Sequence, residues 1–231
     1  MEHSKPISLH FIQKGEEGFP LILLHGNDES GIYFEHQIEP FARHARVFAV
    51  DTRGHGQSPR GEGPFTLSRF AEDLAAFMDA QAIPQADVLG FSDGGNIAIL
   101  FALRYPQRVR KLVLNGANLQ PWGVCRRVQI PLTLHYGWIC VASACRPGLI
   151  PRKEMLGLMI REPHIPTRDM QKIKAPTLVI AGDHDLIRTS HTRSIARALP
   201  NSVLCILPGD HFLAHKKPDA FNEVVTAFLW G

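Results

Sequence analysis

The pattern in this chain with the clearest chemical potential is Gly90-Phe91-Ser92-Asp93-Gly94-Gly95, one serine with glycines two positions away on each side. An apolar run from Ala86 leads into it and a helical pattern from Ile97 leads out, so the serine stands on a strand-to-helix turn. A turn that tight strains the serine backbone and admits only small residues at Gly90 and Gly94. The Ser92 hydroxyl is then lifted clear of the sheet over a helix N-terminus. The backbone N–H of Asp93 points at the oxyanion that forms when Ser92 attacks a carbonyl. Glycine-flanked serines also occur by chance in ordinary loops, so the reading depends on what else the chain supplies.

A hydroxyl near its ordinary pKa is a poor nucleophile. It needs an adjacent base, and the base needs an acceptor that fixes its tautomer and stabilises it once charged. His211, on the turn Pro208-Gly209-Asp210-His211 after the last strand pattern, is the candidate base. The candidate acceptor follows the preceding strand, in Gly182-Asp183-His184-Asp185, and Asp210 abuts the histidine as a further carboxylate. The order Ser, Asp, His is one of the known convergent orders for such a triad.

These groups require a scaffold that ends several strands at one edge. Ile7 to Lys14 reads as an edge strand, and Gly15 to Pro20 as the turn after it. Leu21 to Leu24 is an apolar run expected of a strand covered on both faces, and Arg46 to Val50, Ala86 to Phe91, Val109 to Leu114, Pro176 to Ala181 and Ser202 to Leu207 follow. Between them lie helical patterns at about Gly31 to Arg43, Thr66 to Ile83 with Thr66 as N-cap, Asp93 to Tyr105, Ser190 to Leu199 and Pro218 to Leu229. Strands alternating with helices argue an α/β fold with a mostly parallel sheet. From Asn118 to about Lys174 the alternation stops, and prolines, three of the four cysteines and two of the three tryptophans gather there. That stretch reads as a cap of a few short helices inserted after the strand ending near Leu114. The expected organisation is a single domain with a core of 1–117 and 175–231 and a cap of 118–174.

The 231 residues, 45% hydrophobic and 20% charged, suit one packed domain. A net charge of +3 without a basic run or aromatic-interleaved patch argues against nucleic acid as a partner. Met1 to Pro6 shows no apolar signal-peptide core, and no run reaches the length of a membrane span. Cys125, Cys140, Cys145 and Cys205 form no C-x-x-C pair, so reduced thiols, a cytoplasmic location and no membrane partner are expected.

Five segments together, His25-Gly26 after a buried strand, Asp51-x-Arg53-Gly54-His55-Gly56-x-Ser58, Gly90 to Gly95, Gly182-x-x-Asp185 and Gly209-Asp210-His211, occur in one order, each at a strand end. On them the chain resembles the α/β-hydrolase superfamily over essentially its full length. Within that superfamily it looks closest to the small branch of proline iminopeptidase-like, haloperoxidase-like and C–C-bond hydrolase members. The resemblance implies Ser92 as nucleophile, His211 as general base and Asp185 as acid member, with Asp183 and Asp210 as rivals for the last role. It also implies an oxyanion hole from the backbone N–H groups of Asn27 and Asp93, and a mainly structural part for His25 and for the block from Asp51 to Ser58.

No cofactor is implied. His211 and His215 have metal-ligand spacing, yet Phe212 stands where a zinc-protease motif needs Glu, so no metal is expected there. Gly90 to Gly95 lacks both the dinucleotide-loop pattern and the P-loop lysine. Trp122, Tyr136, Trp138, Cys140, Cys145, Met155 and Met159 of the cap could line an acyl pocket or simply pack the cap onto the core.

The expected activity is that of a serine hydrolase cleaving a small carboxylic ester or related acyl substrate through an acyl-enzyme. The alternatives on the same fold are C–C-bond hydrolysis, amino-terminal peptide cleavage, a triad-based lyase step, or a non-catalytic small-molecule receptor.

Overall fold

The computed structural model describes residues 7–231. The reading of Met1 to Pro6 as free of an export signal lies outside the described residues. Seven strands, β1 (Phe11–Lys14), β2 (Phe19–Leu24), β3 (Ala45–Val50), β4 (Ala86–Phe91), β5 (Val109–Asn115), β6 (Thr177–Gly182) and β7 (Ser202–Leu207), form one sheet. Their order is β1-β3-β2-β4-β5-β6-β7, and only β1, at the edge against β3, runs antiparallel. β2 begins at Phe19, so the last two residues read as turn already pair with Ala45 and Arg46 of β3.

Alternation along the strands divides the core. Ile22, Leu24 and Val88 face a cluster built with α2 (Leu67–Ala80), α3 (Asp93–Arg104) and α6 (Thr189–Ala198). Leu21, Leu23 and Leu89 face the opposite cluster, built with α1 (Glu35–Ala42), α7 (Leu213–Lys216) and α8 (Pro218–Trp230). Both faces are therefore covered, which is why these strands read as continuous apolar runs. Thr66 caps α2 as its position suggested, its hydroxyl oxygen accepting from the Arg69 N–H at 3.2 Å. The four-residue α7, just after the turn Pro208 to His211, has no counterpart in the sequence reading, because four residues show no helical period.

Residues 118–174 contain no strand. Their helices are α4 (Arg126–Cys145) and α5 (Ile150–Arg161), flanked by single 3-10 turns. The expectation of a few short helices is corrected here, because α4 runs for 20 residues. Pro131 lies in its second turn, where the ring deletes only the bond that residue 131 would give to the Arg127 carbonyl, and the helix continues past it. Among the described residues no helix is long and apolar enough to cross a membrane, and all four cysteines are free thiols.

Chain order makes the sheet reverse direction at one place. From β2 the chain steps to β3 on one side, and β4 lies on the other. In open α/β sheets the crevice past the carboxyl ends at such a switch point is where ligands bind. Asn27 follows β2 and Ser92 follows β4, so both open onto it.

Candidate active site

The turn after β4 carries the strain that its glycines imply. Ser92 sits at φ 53°, ψ −119°, an unfavourable conformation for a residue with a side chain. The surrounding structure over-determines it. The Ser92 N–H donates to the Asn115 carbonyl at 2.8 Å, and α3 begins at the next residue. A Cβ at Gly94 would stand 2.0 Å from the Leu24 carbonyl oxygen, and one at Gly90 2.3 Å from the Gly94 oxygen. Both contacts are with backbone, so neither position has room for alanine.

Three loops bring the triad candidates together. Nε2 of His211 lies 3.0 Å from Oγ of Ser92, and its Nδ1 lies 2.7 Å from Oδ1 of Asp185. With Nδ1–H donated to the carboxylate, Nε2 presents its lone pair to the serine hydroxyl. His211 and Asp185 are both buried, at 5% exposure each. The imidazole is wedged between Phe91, at 4.8 Å between ring centroids, and Phe212, at 5.6 Å. Asp185 is held in turn by the Ile187 N–H, which donates to Oδ1 at 2.8 Å.

The rival carboxylates are occupied elsewhere. Asp183 is exposed, and its Oδ1 accepts from the Gly209 N–H and from His184 Nδ1, both at 2.9 Å. It ties the loop after β6 to the turn before His211. Asp210 accepts from the Phe212 N–H at 2.9 Å and pairs with Lys216, closing its own turn.

Asn27 and Asp93 meet across the switch point, the Asn27 amide donating to Asp93 Oδ2 at 2.9 Å and to the Met155 carbonyl at 3.0 Å. The Asn27 side chain is thereby taken up, which leaves its backbone as the free group. Asp93 opens α3, so its N–H has no acceptor within the helix. The Asn27 N–H is bonded to nothing among the described residues. Burial raises the Asp93 pKa against the opposing pull of the Asn27 and Asn96 amides. Nearby, Glu29 accepts from the Gly26 N–H at 3.1 Å, and burial pushes its pKa up to about 7.

His25 and the block from Asp51 to Ser58 brace this edge from below. His25 Nδ1 lies 2.6 Å from the Gly26 oxygen, and Nε2 accepts from the Thr52 N–H at 3.0 Å. Asp51 accepts from the Gly31 and Gln57 N–H groups at 2.7 and 2.8 Å and holds His10 Nδ1 at 2.8 Å. Arg53, fully buried, forks onto Asp73 at 2.6 and 2.7 Å.

A narrow cavity of about 40 Å³ lies against Ser92 and His211, room for two or three waters at about 10–15 Å³ each. Val128, Gln129 and Leu132 of α4, Met159 of α5, Ile187 and Glu162 line it. Of the cap aromatics and sulfurs singled out in the sequence, only Met159 lines this cavity. Trp122 and Trp138 are 61% and 59% exposed, and Tyr136 lines a separate cleft of about 600 Å³ on the far side of Glu162. Sequence reasoning also passed over Gly116, at φ 62°, where a Cβ would stand 2.8 Å from Cε1 of His211. Its place at the end of β5, level with the other loops, was the available signal.

His211 is engaged by Ser92 and Asp185. His215 instead gathers with Glu35 and His36 on the surface, their ligating atoms within 4.8 Å of one another and all three residues exposed.

A family model described as alpha/beta hydrolase fold matches residues 20–139. The RutD protein of Caulobacter sp. (strain K31), whose name assigns it carbamate hydrolysis, is 31% identical to this chain, over 91% of this chain and 90% of its own. The serine hydrolase BPHL of Mus musculus is 28% identical over 96% of this chain and 83% of its own. Among solved structures, the enol-lactonase from Burkholderia xenovorans LB400 superposes with a TM-score of 0.83, covering 99% of this chain and 98% of that one at 23% identity, a likeness of fold.

Proposed function

The chain belongs to the alpha/beta hydrolase fold family, and from that premise we propose that it is a serine hydrolase cleaving a small carboxylic ester or related acyl compound through an acyl-enzyme. Ser92 Oγ attacks the carbonyl carbon while its proton passes to Nε2 of His211. Asp185 holds the Nδ1–H and stabilises the imidazolium that results. The oxyanion is received by the backbone N–H groups of Asn27 and Asp93, preorganised at the end of β2 and at the start of α3. His211 returns the proton to the leaving group. Water then attacks the acyl carbon while His211 takes its proton, and the Ser92 Oγ–acyl bond breaks as that proton returns to Oγ and the acid leaves.

The observation that carries this reading is the unbroken relay from Ser92 Oγ to His211 at 3.0 Å and from His211 to Asp185 at 2.7 Å. It stands at a sheet switch point, beneath a cavity whose lining is mostly apolar, with Gln129 and Glu162 among it. The names of the relatives are consistent with it, since carbamates and lactones are both acyl compounds whose hydrolysis passes through a tetrahedral oxyanion. The narrow cavity favours a short acyl group.

The test is hydrolysis of short-chain p-nitrophenyl esters, with fluorophosphonate labelling, by wild type and Ser92→Ala. Turnover and labelling are expected in wild type and in neither case for the variant. A folded wild-type protein that neither labels nor turns over would remove the hydrolase reading in favour of a ligand receptor on the same fold.

A further inference from the structure

Helix α4 is apolar on two opposite sides. Val128, Gln129 and Leu132 face the Ser92 cavity, and Ile139 and Ser143 are buried on the same side. Ile130, Leu134, Trp138 and Val141 are instead 57%, 71%, 59% and 75% exposed. Their spacing of four, four and three residues places them within an arc of about 80° on the outer side, at 3.6 residues per turn. A solvated helix would carry polar residues there, and a contiguous apolar stripe of this kind marks a contact surface.

Charge identifies what the stripe contacts. Residues 94–153 include no Asp or Glu at all. Residues 118–174 hold nine Arg and Lys against three Asp and Glu, a net +6, whereas the remainder of the chain holds sixteen against nineteen, a net −3. Some of these cations are spent: Arg152 pairs with Asp28 at 2.6 Å. Arg126, Arg127, Arg146 and Lys153 form no ion pair among the described residues. Arg126 and Arg127 open α4 and Arg146 follows its last turn, so unpaired cations bracket the stripe at both ends. A second copy of this chain seated stripe to stripe would set these cations against their own like. A surface of lipid phosphates would pair them.

We propose that the outer face of α4 docks on an anionic lipid bilayer. Ile130, Leu134, Trp138 and Val141 enter the boundary between headgroups and acyl chains, and Arg126, Arg127 and Arg146 pair with phosphates. The helix lies in the plane of the interface and does not cross it. Tryptophan suits that depth, with an apolar body and one polar N–H. Each cation near an anionic surface strengthens binding about fivefold. The expectation of no membrane partner rested on the absence of a spanning run, and docking on one face needs none. The surface does not depend on the chemistry at Ser92.

The test is co-sedimentation of the full chain with vesicles of phosphatidylcholine alone and of equal parts phosphatidylcholine and phosphatidylglycerol, at low and high salt. Binding is expected to the mixed vesicles at low salt, at least about tenfold weaker to phosphatidylcholine alone and in high salt. Leu134→Ser/Val141→Ser and Arg126→Glu/Arg127→Glu should each lose at least about tenfold in binding while keeping the wild-type thermal midpoint. The proposal is overturned if the mixed vesicles fail to bind, if both vesicle types bind equally, or if the two folded variants bind like wild type. It is equally overturned by a dimer in light scattering that Leu134→Ser/Val141→Ser dissolves, because the occupant would then be a second copy.

Discussion

His25 and His211 are comparably sealed from solvent, at 1% and 5% exposure, and both stand on loops at the carboxyl end of the sheet. Their partners differ in kind. Nδ1 of His25 faces the Gly26 carbonyl oxygen, Nε2 meets the N–H and the hydroxyl of Thr52, and burial pushes its pKa down to about 4. No carboxylate stands on Nδ1 to stabilise an imidazolium, so His25 is held neutral as a brace. His211 has a carboxylate on one nitrogen and a hydroxyl on the other. The same contrast separates the neighbouring carboxylates. Asp51 is saturated by two backbone N–H groups and His10, while Oδ2 of Asp185 has no hydrogen-bond partner among the described residues. A histidine at the end of a strand becomes a base through what its second nitrogen faces, and burial alone does not make it one.

The largest effect that would sharpen this contrast is on the Asp185 side. Asp185→Asn keeps the shape but removes the carboxylate charge that stabilises the His211 imidazolium and puts an amide donor beside Nδ1, and kcat/KM should fall about ten-thousand-fold with the denaturation midpoint little changed. Ester kinetics beside urea unfolding would read both. The bracing loop should respond in the opposite way. Asp73→Asn leaves the buried Arg53 guanidinium short of its fork partner and should cost about 3–5 kcal/mol of stability, while activity per folded molecule stays near wild type. Loss of activity without loss of stability would break the comparison.

Acidity gives a third, somewhat smaller effect. The folded-state pKa of His25 is depressed from 6.5 to about 4. Between those values the unfolded chain binds the proton that the folded chain refuses. Stability is therefore whole above pH 6.5 and lost as pH falls toward 4, by about 3 kcal/mol at full extent. His191, depressed to about 4 by burial, adds in the same direction. Thermal midpoints between pH 7 and 4 should fall accordingly, and the fall should be shallower in His25→Asn. The smallest effect is expected at Asp183→Ala, which cuts the tie to Gly209 on an exposed loop and should leave kcat/KM close to wild type. A collapse there to the level of Asp185→Asn would reopen the choice of acid.

What was legible in the sequence was local. The elbow needs residues adjacent in the chain, and its strand, glycines and helix declare themselves within a dozen positions. Ser92, Asp185 and His211 follow β4, β6 and β7, all at carboxyl ends, so the rhythm of the sheet places them at one edge before any contact is known. Pairings between distant residues left no such mark. Nothing near Arg53 announces Asp73, 20 residues on, and nothing announces that Met155 would accept from Asn27 across 128 residues. The cap was the hardest part to read. α4 is apolar on both sides and carries a proline in its second turn, so its helical period is blurred and its pocket-facing Val128 and Leu132 look no different from the outward Ile130 and Leu134. Large aromatic residues drew attention to Trp122 and Trp138, which face solvent.

The most direct measurement is the rate of fluorophosphonate labelling, mapped to a peptide, in wild type, His211→Ala and His25→Asn. Labelling of wild type at Ser92 is expected, slowed at least about a thousandfold in His211→Ala, where no base remains to activate the hydroxyl. The folded fraction of His25→Asn should label at close to the wild-type rate. Equal slowing in both variants, or labelling at any residue other than Ser92, would contradict the assignment of His211 as the base and His25 as the brace.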